Sequence, residues 1–122
     1  MSNLIAVNTA PDFAPREGAP AAEMLLSGDP QFKTWDLDEA MAAAEGFGKV
    51  RTGIWEASPG KYISEKGGKF EFCHLLAGKI RLTEEGGEAQ EFSAGDSFIM
   101  KPALKGQWET LEPVRKIFVI AA

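Results

Sequence analysis

From Val50 to the end of the chain, apolar and polar side chains alternate over short stretches broken by turn residues, and this pattern predicts strands. The expected strands cover residues 50–57, 61–65, 70–76, 79–83, 89–92, 97–100, 106–111 and 114–120. Ser58-Pro59-Gly60, Gly67-Gly68, Gly78, Gly86-Gly87, Gly95-Asp96 and Glu112-Pro113 part them. Short strands with turn signals this close together predict an all-β sandwich or barrel. No room is left for crossover helices, so the pairing should be antiparallel. Upstream, residues 24–26 and 32–35 are strand candidates on either side of Gly28-Asp29-Pro30. One helix signal follows: Asp36 or Asp38 as cap, a run through Ala40, Met41, Ala42, Ala43, Ala44 and Glu45, and Gly46 as stop. It predicts a helix of two turns. Before all of this, Pro11, Pro15, Gly18 and Pro20 punctuate a segment without periodicity, which predicts an extended arm. Its Leu4, Ile5, Val7 and Phe13 are suited to draping over the domain or over a partner subunit.

Composition narrows the partners. A chain of 122 residues with 44% hydrophobic and 25% charged residues fits one globular domain with a real core. Its net charge of −5, with no local Lys/Arg cluster, predicts neither a nucleic-acid partner nor a membrane one. The single cysteine, Cys73, excludes an intrachain disulfide. Leu4-Ile5-Ala6-Val7 is too short for a signal-peptide core, so the expected location is the cytoplasm.

Two stretches carry a resemblance. Glu71 is followed by six residues and Gly78, then by the strand 79–83; Gly95-Asp96 opens a second stretch that passes Pro102 and continues to Gly106-Gln107-Trp108. These resemble the paired motifs of the cupin superfamily, whose members are double-stranded β-helix jelly rolls. The order Trp55, Ser58-Pro59-Gly60, Glu71, Cys73, Gly78, Gly95-Asp96, Gly106, Trp108, Arg115-Lys116 is similar to a small single-domain branch. That branch includes the ureidoglycine aminohydrolase cupin domain and the ethanolamine-utilisation cupin. The resemblance implies a cupin jelly-roll barrel over residues 23–122, with the short helix, after an arm over residues 1–22. It also implies a homodimer.

The departures bear on chemistry. Metal-binding cupins place two histidines shortly before the glutamate and a third in the second motif. Here those places hold Ser64 and Lys66, or Glu65 and Gly67, and then Gly106, while the chain has one histidine in all. The expected cofactor is therefore none, and a divalent metal would need non-standard ligands beside Glu71.

Among individual residues, Glu71 lies mid-strand between Phe70 and Phe72, where a bare carboxylate is costly. It is either a carboxylate salt-bridged to a Lys or Arg, or a pocket acid with a raised pKa, available for acid–base catalysis or for an amine. Alternation puts Glu71, Cys73 and Leu75 on one face and His74 on the other. Cys73 reads first as core and second as a ligand contact; His74 reads as a packed or surface residue. The resemblance implies that Trp55 and Trp108 line or rim the barrel, where they read first as filling of its interior and second as rings that stack a flat ligand. Tyr62, Met100 and Lys101 read as rim neighbours, with Lys101 as a counter-charge to Glu71. The expected function is binding of a small metabolite in the barrel, nitrogen-containing compounds among the candidates, without the histidine-based metal site. The alternatives are a metal-dependent C–N hydrolase resembling ureidoglycine aminohydrolase, and a structural or regulatory dimer with a filled barrel.

Overall fold

A computed structural model describes residues 3–42 and 48–122. Nine strands run in chain order: β1 (Arg16–Gly18), β2 (Leu25–Gly28), β3 (Phe32–Ala42), β4 (Gly48–Ala57), β5 (Gly60–Glu65), β6 (Phe70–Glu84), β7 (Ala89–Ser93), β8 (Ser97–Met100) and β9 (Lys105–Ala121). A single 3₁₀ turn, Ala22–Met24, precedes β2. Every strand pair is antiparallel, as the short connections require.

β9 organises the curled sheet. β6 pairs along one of its sides, while β4 and β5 share the other. The remaining strands extend the sheet as β1-β3-β4 and β5-β2, with β7 and β8 on the free side of β6. Two pairs of predicted strands are single long ones. Residues 70–76 and 79–83 join through bulges around Ala77 to form β6, and 106–111 and 114–120 join past Pro113 to form β9. Gly78 belongs to that bulged stretch with φ of 89°, and a Cβ there would lie 2.1 Å from the Pro113 carbonyl oxygen. Only glycine fits both demands.

The predicted helix is corrected over its described part. Asp36, Asp38, Ala40 and Ala42 continue β3, paired with Gly53, Thr52, Val50 and Gly48, with a bulge between Asp36 and Asp38. An isolated two-turn helix gains little in water, whereas ladder pairing along β4 satisfies the backbone groups on that side of the strand. Ala43, Ala44, Glu45 and Gly46 lie outside the described residues.

The core fills the curl. Ala57, Cys73, Leu75, Ile80, Phe98, Met100, Trp108 and Val114 are buried together, with Phe32, Trp55, Tyr62 and Phe92 packed against them. The arm packs on the domain: the Trp35 indole N–H donates to the Phe13 carbonyl at 2.9 Å, and the Arg115 guanidinium donates to the Thr9 carbonyl at 2.7 and 3.0 Å.

Candidate functional site

The alternation of β6 sends Glu71, Cys73 and Leu75 inward, all buried, with Phe70, Phe72 and His74 on the other face. On β9 the same period buries Val114, Lys116 and Phe118. Lys116 lies in register with Leu75 of β6 on one side and Trp55 of β4 on the other. Lys66 follows the end of β5, where its backbone N–H is held by the Leu104 carbonyl.

These residues converge on one carboxylate. Lys116 Nζ donates to Glu71 Oε2 at 2.7 Å, Lys66 Nζ pairs with Oε1, and the Cys73 thiol donates to Oε2 at 3.0 Å. The ammonium of Lys116 also sits over two indoles, 4.4 Å from the Trp55 ring centre and 4.7 Å from that of Trp108. The two rings meet edge to face at 5.4 Å, and the Trp108 N–H is satisfied by Thr110 Oγ1.

Electrostatics follow from burial and charge in opposition. For Glu71, burial favours the neutral acid, but Lys116, Lys66 and the Cys73 hydrogen bond outweigh it and lower the pKa to about 2. For Cys73, burial acts first and the neighbouring Glu71 adds to it, so the thiol is pushed up to about 12. Burial likewise raises the Tyr62 phenol. Burial alone would discharge Lys116, yet Glu71 reverses that and raises its pKa. The centre thus contains two cations, one anion, a neutral thiol and a neutral phenol.

A cavity of about 240 Å³ opens onto this group, with Phe32, Trp55, Tyr62, Lys66, Glu71, Met100, Trp108 and Lys116 in its wall and Arg16 and Arg51 also contributing. A second cavity, about 370 Å³, is lined by Leu82, Phe92, Phe98 and Leu104 and shares Ser64 and Met100 with the first. Of the residues predicted from sequence, Trp55, Tyr62, Glu71, Met100 and Trp108 come together in the first cavity, and Cys73 touches Glu71 from the core side. Lys101 is corrected: it is exposed at the end of β8 and lines neither cavity, and the counter-charges are Lys66 and Lys116. The raised-pKa reading of Glu71 is corrected too, in favour of the salt-bridged one. His74 faces away, its Nδ1 2.7 Å from Ser97 Oγ. Lys116 was detectable in principle as a lysine on the inward period of an apolar strand; Lys66 was noted only as a place where a histidine is missing.

A family model described as the EutQ-like cupin domain matches residues 44–118. The chain belongs to that family. Solved structures agree on the fold. A protein of unknown function of the DUF861 family from Pseudomonas syringae pv. tomato is 23% identical, with a TM-score of 0.80, over 93% of this chain and 46% of that one. The Clostridium difficile EutQ protein is 16% identical, with a TM-score of 0.62, over 75% of this chain and 63% of that one. A DUF861 family protein from Thermotoga maritima is 32% identical over 53% of this chain and 73% of that one, with a TM-score of 0.51. This chain thus spans under half of the Pseudomonas protein and under two thirds of the Clostridium one. No curated protein matches it.

The metal that many cupins hold does not fit the residues of this one. Among the described residues no three His, Cys, Asp or Glu side chains are grouped to hold an ion. Both Glu71 oxygens already face ammonium groups. Gly106, at the place of the third histidine, has no room for a side chain, because a Cβ would lie 2.2 Å from the Thr83 carbonyl oxygen.

Proposed function

We propose that this cupin binds a small metabolite in the cavity bounded by Trp55, Tyr62, Trp108 and the Glu71 ion group, without a metal. The observation that supports it most is the pair of lysine ammonium groups on the two Glu71 oxygens, inside a cavity walled by aromatic rings. A concave, largely apolar site with a few convergent polar groups is the usual form of a metabolite pocket. A nitrogen-containing cation is less well suited than a lone Glu71 would make it, since the carboxylate is already matched.

Elemental analysis of tag-free protein, joined to calorimetry with and without a chelator, tests the reading. The expected result is substoichiometric metal and ligand binding that the chelator leaves unchanged. Stoichiometric manganese, zinc or iron would overturn it in favour of the metal-dependent C–N hydrolase. We propose further that the cupin works as a homodimer. Ile5, Val7 and Phe13 of the arm are 53%, 45% and 48% exposed, apolar side chains that a second copy would cover. Deleting residues 1–13 should then shift the mass seen by light scattering to that of a monomer.

A further inference from the structure

The inner site holds one more cation than anion. Lys66 and Lys116 face Glu71, and among the described residues no second carboxylate reaches either ammonium. The two arginines of the same cavity differ. Arg16 and Arg51 share Asp36 at 3.2 and 3.3 Å, and Arg51 also has Glu39 at 3.9 Å. Lys49 also holds Glu39, at 2.7 Å, so that cluster has three cations on two carboxylates, but its side chains are mostly exposed, whereas the lysine excess at Glu71 is buried. Tyr62 and Cys73 do not offset it, because burial keeps both protonated.

A buried charge without a partner is costly, and the cost is removed by a partner of opposite sign. Each ammonium has three N–H donors, and each gives one to Glu71. The remaining donors of Lys66 border the cavity, since its side chain is 13% exposed. A divalent ion on one carboxylate leaves a net charge of plus one, and two ammonium groups on one carboxylate leave the same. The lysine pair thus reproduces the charge of a metal centre with side chains alone.

From this balance we infer that the cavity takes a small organic monoanion, a carboxylate on an apolar or flat body, with its oxygens on Lys66 and Lys116 and its body against Trp55 and Trp108. This rests on the metal-free binding proposed above and names the ligand class. The cavity, about 240 Å³, lies below the range typical of drug-sized ligands, so the anion is small. A carboxylate is suited to ammonium donors, through charge-assisted hydrogen bonds. An amine would bring a third cation to the same place.

Three ligands with one ring separate charge from shape: benzoate, benzamide and benzylamine. Each is titrated into the full chain in chelator, by calorimetry and by tryptophan fluorescence. Benzoate is expected to bind about tenfold more tightly than benzamide, with benzylamine weakest. Lys66→Gln should weaken benzoate binding about tenfold, and Lys66→Arg should restore it. Lys66 is chosen because it is the less buried lysine; unchanged circular dichroism and a cooperative melt, at a lower temperature, would show that the variant folds. Equal binding of benzoate and benzamide, or tighter binding of benzylamine, would overturn the anion class and leave the metal-free pocket standing. No binding by these three or by acetate would overturn both.

Discussion

Two glutamates of this cupin have nearly the same company and opposite surroundings. Glu71 is held between Lys66 and Lys116 inside the curl of the sheet, and Glu91 between Lys79 and Arg81 on its outside. The inner side chains are 4%, 13% and 7% exposed, the outer ones about 40% each. Both carboxyls are pulled down, Glu91 by its hydrogen bonds to Arg81 and Lys79, Glu71 by its two lysines against a burial that alone would push it up. Glu91 is open to solvent and Glu71 is almost wholly shielded from it. The difference teaches that a charge triad gains consequence from what surrounds it: the inner one cannot lose its carboxylate without leaving two buried ammonium groups unmatched, and the outer one can lose its own at little cost.

The sharpest way to break this contrast is Glu71→Gln. It leaves two ammonium groups in the core with an amide in place of their shared counter-ion, and should cost about 3–5 kcal/mol of unfolding free energy. Urea denaturation measures it. A loss under about 1 kcal/mol, the range of exposed pairs, would mean that solvent reaches the inner triad after all.

Acid titration gives the next largest effect and its sign is fixed. The Glu71 carboxyl is depressed in the folded chain, from 4.5 to about 2, so its contribution is complete above pH 4.5 and is lost as pH falls through 2. A shift of this size corresponds to about 3 kcal/mol. Comparing the stability of the wild type and Glu71→Gln across that window isolates the term from all other carboxylates. The gap between the two should close toward pH 2; a constant gap would refute the assignment.

Legibility in the sequence followed the same divide between repeating pattern and single placement. Period-2 alternation put Glu71, Cys73 and Leu75 on one face and His74 on the other, because a strand leaves no choice. Turn residues marked the strand ends, yet Gly78 and Glu112-Pro113 proved to be irregularities within β6 and β9 rather than ends. The run from Asp36 to Ala42 read as helix on local propensity, and tertiary pairing with β4 decided otherwise. Of the lysines that reach Glu71, Lys66 is five residues away across the turn between β5 and β6, and Lys116 comes from the far end of the chain, a convergence that no local pattern announces.

Lys66→Gln should fall between the extremes. It removes one charge-assisted hydrogen bond at the less buried corner of the inner triad and leaves the Lys116–Glu71 pair intact, a cost of about 2 kcal/mol. The smallest effect belongs to Glu91→Gln. Its partners Lys79 and Arg81, at 3.3 and 2.7 Å, are hydrated, and Arg81 keeps Glu109 at 3.3 Å. The change should leave the urea denaturation curve indistinguishable from that of the wild type. Raising salt should leave it so, since exposed charges are screened over a few ångströms at high ionic strength, while the Glu71 variants keep their deficits. A clear, salt-insensitive loss of stability at Glu91 would place its triad in the same class as the inner one and erase the distinction between them.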